Sequence, residues 1–200
     1  MAGVSTSRTR AVALVAAIAL AAAALAVLLA SSAPRAIGAS AQARDCPNAD
    51  ATVPKASKGE MRRAVGCLIA RERAKRERHR VGPNRALKRV AQKHSAKMVE
   101  SNCFEHQCPG EAKLAKRIEK SGYVGPGDRY GYGEITGCGP TPKTMVEQWM
   151  DDRVARRTIL GRKFRHVGIG VVKGAPEVAD GCQTQDLYAT YTVLFAWRRG

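Results

Sequence analysis

The sequence predicts an α+β domain in which helices cover a small antiparallel sheet. Helical patterns come first, with apolar residues at every third or fourth position, beginning near Glu60, Leu87, Glu111 and Thr141. Two strand patterns follow at 166–172 and 187–197, and a shorter β-like run surrounds Glu134. Helices followed by about three short strands are typical of a layered α+β domain.

The first 43 residues predict an export signal that is not part of the fold. Two arginines precede the apolar run at 11–30, and 41–43 reads Ala-Gln-Ala, a small-x-small cleavage site. Because the apolar run is also long enough to cross a bilayer, an uncleaved membrane tether is the alternative. Cleavage predicts a secreted, extracellular protein with an N-terminal arm at 44–59 and one domain at 60–200.

Basic residues dominate the whole chain. Its formal net charge is +17, and removing the three arginines of the export segment leaves +14. Such a charge predicts non-specific attachment to anionic cell-surface polymers or lipids, which weakens as salt is added. The sequence lacks the interleaved aromatic and basic residues that would predict sequence-specific binding of nucleic acid. We expect a monomer.

Six cysteines follow the export segment. An even number in an exported chain predicts three disulfides, although six cysteines allow 15 pairings. The absence of C-x-x-C pairs argues against a zinc site. We predict the pairs Cys46 with Cys67, Cys103 with Cys108, and Cys138 with Cys182.

Three residues are candidates for a functional site. Glu134 follows a glycine on a short β-like run, although an exposed turn acid is the alternative. His106 lies in a loop that the Cys103–Cys108 disulfide would stiffen, and such loops favour function. His94 falls on the apolar side of a helix, where a hydrogen-bonded core residue is more common than a ligand.

Several motifs together carry a resemblance to a known family. They are Cys67-Leu68-Ile69 with Arg73, Ala91-x-x-His94-Ser95-x-x-Met98, Phe104-x-His106, Arg117-Ile118 with Gly122-Tyr123, Gly133-Glu134, Trp149, Arg156 with Ile159-Leu160, and Gly168-Ile169-Gly170. In order and spacing, over roughly 60–197, they resemble the CAP superfamily of cysteine-rich secretory, venom-antigen and pathogenesis-related proteins. The most similar branch is that of small exported bacterial SCP-domain proteins. The resemblance implies an α-β-α sandwich with a central cleft.

That cleft holds two histidines and two acidic residues in many CAP proteins, and a divalent metal in some. By position, His106 matches the first histidine, and Glu134 matches the acid of a Gly-Glu-Asn motif whose asparagine is isoleucine here. Asp152 stands where some branches have the second acid, and Ala155 before Arg156 replaces the second histidine. The resemblance therefore implies an incomplete cleft of His106, Glu134, Asp152 and Arg156. We expect His106 and Glu134 to bind divalent metal weakly at most, no other cofactor, and Arg156 or Arg157 to pair with Glu134 instead.

Two classes of function stay open. The first is a secreted binding or structural module without chemistry of its own; the resemblance implies lipids or another small apolar ligand. The alternative is a metal-assisted or general-base hydrolase of the cell envelope, with His106 or Glu134 as the base. The chain has no Gly-x-Ser-x-Gly nucleophile motif and no free cysteine if all six pair, which favours the non-catalytic class.

Overall fold

The computed structural model describes residues 45–179, 181–182 and 185–200. Within the chain, Asp45–Gly200 forms one compact unit. The predicted export segment at 1–43 lies outside the described residues. No helix in the described part is long and apolar enough to cross a membrane.

The described residues form five α-helices, one 3-10 turn and a four-stranded sheet. The helices are α1 (Lys58–Ala74), α2 (Arg85–Glu100), α3 (Leu114–Lys120), α4 (Pro142–Asp151) and α5 (Arg153–Ile159), and the 3-10 turn is Gln185–Leu187. The strands are β1 (Gly82–Pro83), β2 (Arg129–Gly139), β3 (His166–Lys173) and β4 (Ala189–Arg199). The order across the sheet is β1-β3-β4-β2. The antiparallel set β3-β4-β2 confirms the prediction, and the short parallel strand β1 extends it.

Helices cover both faces of the sheet. Alternation along β4 sends Tyr191, Val193 and Phe195 to the face covered by α1, α4 and α5. The intervening Leu194 and Ala196 pack on the opposite face with residues of α2 and α3. The predicted α-β-α sandwich is therefore confirmed.

Two glycines let α2 lie very close to the sheet. A Cβ atom at Gly168 or Gly170 of β3 would overlap the helix backbone at Leu87 or Ala91. The close approach places Ser95 within reach of β4, where its Oγ donates to Thr192 Oγ1 at 2.9 Å. It also holds the preceding residue, His94, fully buried above the sheet.

The N-terminal arm is part of the core. Its Val53 and Ala56 are buried with residues of α1 and α4. Ser57 directly follows this buried pair and caps α1 in a capping box with Glu60. Helix α1 ends at Ala74, so only the first part of the charged stretch that follows the apolar stripe is helical.

All three predicted disulfides are present. Their Cα atoms lie 5.6 Å apart in Cys46–Cys67, 5.9 Å in Cys103–Cys108 and 6.0 Å in Cys138–Cys182. The second of them closes the loop that carries His106.

Candidate functional site

A cleft of about 500 Å3 opens beside β2. Its wall on one side is β2 from Glu134 to Cys138, and α4 contributes Met145 and Trp149 on the other. Trp149 is fixed there because its indole Nε1 donates to the Thr136 carbonyl at 2.8 Å. His106 lies at the same cleft, which brings together two candidates that are 28 residues apart in sequence.

His106 and Glu134 form a direct hydrogen bond. His106 Nδ1 lies 2.9 Å from Glu134 Oε1, with 68% of the imidazole side chain exposed and only 2% of the carboxylate side chain. This hydrogen bond, opposed by partial burial, raises the pKa of His106 above its ordinary value. Glu134 is therefore a buried acid, and the alternative of an exposed turn acid is wrong.

A second histidine and carboxylate lie behind this pair. His94 Nδ1 is 2.8 Å from Glu111 Oε2, and His94 Nε2 is 3.8 Å from Glu134 Oε1. His94 is thus the hydrogen-bonded core residue that its position predicts, and it also faces the cleft acid. Glu111 was not predicted. The signal that could have indicated it is its place just after the Cys103–Cys108 loop, where Glu111 accepts from the Cys108 backbone N–H at 3.3 Å.

Arg117 of α3 joins the two carboxylates. Its Nη1 donates to Glu111 Oε1 at 3.0 Å, and its Nη2 lies 3.8 Å from Glu134 Oε2. The same Nη2 donates to the His106 carbonyl at 2.6 Å, so the guanidinium also fixes the loop. The prediction that Arg156 or Arg157 pairs with Glu134 is therefore wrong, because the arginine that faces this carboxylate is Arg117 of α3. Arg156 instead donates to the Met150 carbonyl at 3.4 Å.

The remaining predicted cleft residues lie at the start of α5. Asp152 is exposed and caps the helix, accepting from the Ala155 N–H at 2.6 Å. Asp152 and the buried Ala155 both line the cleft, whereas Arg156 does not. The structure therefore brings His106, Glu134 and Asp152 to one cleft, with the Asp152 carboxylate committed to its helix cap.

The arrangement fits a divalent metal poorly. Among the residues that the structure describes, no group of three or more His, Cys, Asp and Glu side chains is placed to hold a metal ion. A guanidinium already lies against both buried carboxylates, and it would repel a cation. Three buried atoms of the cluster, His94 Nε2, Arg117 Nε and Glu134 Oε2, have no hydrogen-bond partner within the described part of the chain.

The fold and cluster define a class of protein: a three-layer α-β-α domain with histidines and carboxylates in a central cleft. The family model described as "CAP: Cysteine-rich secretory protein family" matches residues 68–191. This match covers more than half of the chain. The chain belongs to the CAP family.

A curated bacterial protein is similar to part of the chain. The uncharacterized protein YkwD of Bacillus subtilis (strain 168) is 29% identical over 89 residues, which are 44% of this chain and 33% of that protein. This chain therefore matches about a third of the relative's length. The two are similar over a segment rather than throughout.

Solved structures show the same fold. An outer surface protein from Borrelia burgdorferi matches with a TM-score of 0.59 at 19% identity, over 72% of this chain and 97% of that chain. An extracellular protein containing a SCP domain from Bacillus anthracis str. Ames matches with a TM-score of 0.53 at 20% identity, over 70% of this chain and 43% of that chain. At such identities the likeness shows the fold alone.

Proposed function

We propose that this CAP protein is an exported, non-catalytic binding or structural module of the cell surface. The observation that carries the proposal is the position of Arg117 between Glu111 and Glu134. A guanidinium that already lies against a carboxylate repels a metal cation and competes with other ligands for its oxygens. The central cleft is thus neutralised by the chain's own side chains.

The cleft wall offers little else for chemistry. Of the described residues that line it, only Thr136 carries a hydroxyl group. Both cysteines in the lining, Cys138 and Cys182, are joined in a disulfide. A covalent mechanism with a hydroxyl nucleophile beside the His106 base would have to use Thr136.

Export and surface attachment are supported by three features. The leader pattern at 1–43, the three disulfides and the net charge of +14 after its removal all suit an extracellular protein at an anionic surface. The two similar structures are described as an outer surface protein and an extracellular protein. The partners we propose are anionic polymers or lipids, held without specific recognition.

Two measurements test the proposal on protein exported from cells that express the full chain. Hydrolysis of ester and peptide substrates should not change between the parent, His106→Ala and Glu134→Gln. Retention on anionic vesicles and on isolated cell walls should be lost at about 0.5 M salt, where the Debye length is roughly 4 Å. Turnover that both variants abolish would contradict the non-catalytic assignment.

A general-base hydrolase is the second candidate, and one observation favours it. His106 exposes most of its imidazole while its Nδ1 is held by the buried Glu134, an arrangement that orients a base toward solvent. The rate of such an enzyme would depend on deprotonated His106. Its rate would rise with pH through the raised pKa of His106, whereas the binding module has no such profile.

A further inference from the structure

A second concavity, which we call the α2–α3 pocket, lies between these two helices and the loop that precedes α3. Its volume is about 410 Å3, within the range of about 300–1,000 Å3 that is usual for small-molecule pockets. Its lining includes Arg89 and Lys93 of α2 and Arg117 and Lys120 of α3. It shares no lining residue with the central cleft.

Cations dominate the lining of the α2–α3 pocket. Arg89, Lys93 and Lys120 are exposed there, and none of the three pairs with a carboxylate in the described part of the chain. Lys116, which lies in α3 but does not line the pocket, pairs with Glu119 at 3.2 Å. The pocket therefore carries positive charge that the described side chains do not neutralise.

The only acid among the described lining residues is Glu111, and its carboxylate is already occupied. Glu111 Oε1 accepts from Arg117 Nη1 at 3.0 Å, and Oε2 lies 2.8 Å from His94 Nδ1. Oε2 also accepts from the Cys108 N–H at 3.3 Å. With four cations and this one carboxylate, the lining has a net charge of +3.

Arg117 brings a buried, unused donor to the same pocket. Its Nη1 and Nη2 donate to Glu111 and to the His106 carbonyl, whereas its Nε has no hydrogen-bond partner within the described residues. Only 10% of this side chain is exposed. A buried N–H without an acceptor costs free energy, and an anionic oxygen in the pocket would supply that acceptor.

Arg89 is held at the other end of the pocket. Its Nη2 donates to the Ser121 carbonyl at 3.0 Å, which ties α2 to the residue that follows α3. The guanidinium is therefore fixed beside the pocket before any ligand enters, and a fixed donor costs less to order on binding.

The charge of the pocket favours a phosphate dianion over a singly charged ligand. A phosphate group carries about −1.5 to −2 charges at neutral pH and has three strong acceptor oxygens. Guanidinium and ammonium groups both bind phosphate oxygens, the first as a planar fork and the second as a point charge. A carboxylate would leave more of the net +3 unbalanced.

We infer that the α2–α3 pocket binds a phosphate dianion, as inorganic phosphate or as a phosphomonoester, with Arg117 Nε, Lys93 and Lys120 as its donors. The inference goes beyond non-specific attachment to anionic surfaces, because donors from two helices surround one anion. It holds whether or not the central cleft is catalytic, because the two linings share no residue.

The first test is calorimetric titration with inorganic phosphate at about 0.15 M salt, on protein exported from cells that express the full chain. Lys93→Gln/Lys120→Gln should weaken binding by about tenfold or more, because two charge-assisted hydrogen bonds are lost. Lys88→Gln/Lys163→Gln removes the same charge from exposed lysines outside the pocket and should bind like the parent. Equal loss in the two doubles would overturn the inference.

A pair of variants at one exposed lining residue separates charge from shape. Ala112→Glu adds a carboxylate to the lining, and Ala112→Gln adds a neutral side chain of the same size. The Glu variant should bind phosphate about tenfold or more weakly than the Gln variant. His106→Ala should bind like the parent, which separates the pocket from the central cleft. Equal binding by the two Ala112 variants would contradict the site.

The Nε–H signal of Arg117 gives a readout on the parent protein alone. In an NMR titration this signal should move with inorganic phosphate, and its midpoint should match the calorimetric one. An Arg117 signal that stays fixed while phosphate binds would place the anion elsewhere and overturn the inference.

Two further ligands define the phosphate chemistry. Glycerol 3-phosphate that binds more tightly than inorganic phosphate would identify a phosphomonoester as the ligand, and weaker binding would identify free phosphate; both results support the inference. Dimethyl phosphate, a singly charged diester, should bind more weakly than either. Equal binding of the diester would contradict selection of a dianion.

Discussion

Arg117 and Glu134 come from different elements, α3 and β2, and Nη2 of the arginine lies 3.8 Å from Oε2 of the carboxylate. The same guanidinium donates to Glu111 at 3.0 Å. One cation thereby faces two carboxylates whose side chains are only 2% and 11% exposed. This relationship bears on what the cleft can do, because it governs whether either acid is available to a ligand or a metal.

Removing that cation should destabilise the protein. Arg117→Met leaves two buried carboxylates without their shared partner, and breaking a buried pair typically costs about 3–5 kcal/mol. Since 10% of the Arg117 side chain is exposed, we expect about 3 kcal/mol in the free energy of unfolding at neutral pH. Urea titration measures it. Lys113→Met, an exposed cation at the start of the same helix, is the matched control, and an equal loss there would refute the role given to Arg117.

The parts of the site that depend on local sequence could be predicted, whereas the part that depends on contacts between residues far apart in the chain could not. Periodicity and loop position indicated Glu134, His106 and the burial of His94, because these are local properties of a strand, a loop and a helix. The choice between Arg117 and Arg156 was not local. Both lie in short basic helices, and only the packing of α3 against the sheet shows which one faces Glu134.

Two further features, strand β1 and the role of Glu111, could not be predicted from the sequence because each depends on contacts between distant residues. Strand β1 has two residues, too few for an alternating pattern, and it exists because Gly82 and Asn84 donate to the loop and strand at β3. Glu111 resembles an ordinary acid near a helix start. Its role depends on contact with His94, which is 17 residues earlier in the chain.

The pH dependence of stability should report the His106–Glu134 hydrogen bond. Because the folded-state pKa of His106 is raised, its contribution to stability is fully present below the unfolded-state pKa, about 6.5, and is lost as pH rises through the folded-state pKa. His106→Gln should therefore lower the free energy of unfolding more at about pH 5.5 than at about pH 8.5. An NMR titration in Glu134→Gln should find the pKa of His106 lowered from its value in the parent. If the loss of unfolding free energy in His106→Gln instead grew toward alkaline pH, the prediction would be contradicted.

Loss of the Cys103–Cys108 disulfide should affect the pKa of His106 more than the stability of the fold. It closes a loop of only five residues' separation, so it constrains the unfolded chain little compared with Cys138–Cys182, whose separation is 44. Cys103→Ser/Cys108→Ser should lower the pKa of His106 toward its ordinary value by loosening the loop, as an NMR titration would show. Cys46→Ser/Cys67→Ser is the control, and it should leave that pKa unchanged.

The close approach of α2 to β3 should make Gly170 intolerant of a side chain. A methyl group there overlaps the backbone of Ala91, which cannot move aside as a flexible side chain could. We expect Gly170→Ala to cost at least about 2 kcal/mol in the free energy of unfolding. Gly66→Ala, in α1 with only an ordinary contact, should cost nothing or stabilise. Equal melting temperatures for the two variants would show that the approach is looser than described.

Zinc uptake tests the assignment of the central cleft most sharply. Zinc generally takes three or four protein ligands, and His106 with Glu134 and Asp152 would offer one imidazole and two carboxylates. The Asp152 carboxylate is used as a helix cap, and Arg117 lies beside Glu134. We therefore expect little or no stoichiometric zinc binding by the parent at neutral pH.

Adding an imidazole to the cleft should create or strengthen a zinc site. Ala155→His places an imidazole ring at a buried position that lines the same cleft as His106 and Glu134. The zinc affinity of this variant should rise again when Arg117→Met removes the repelling cation. Calorimetric titration of the parent, the single variant and the double variant measures this order, with Glu134→Gln as the control that loses the gain. Tight one-to-one binding by the parent that survives Glu134→Gln would mean that the ligands lie elsewhere. Equal binding by the parent and Ala155→His would mean that the missing histidine is not what limits the site.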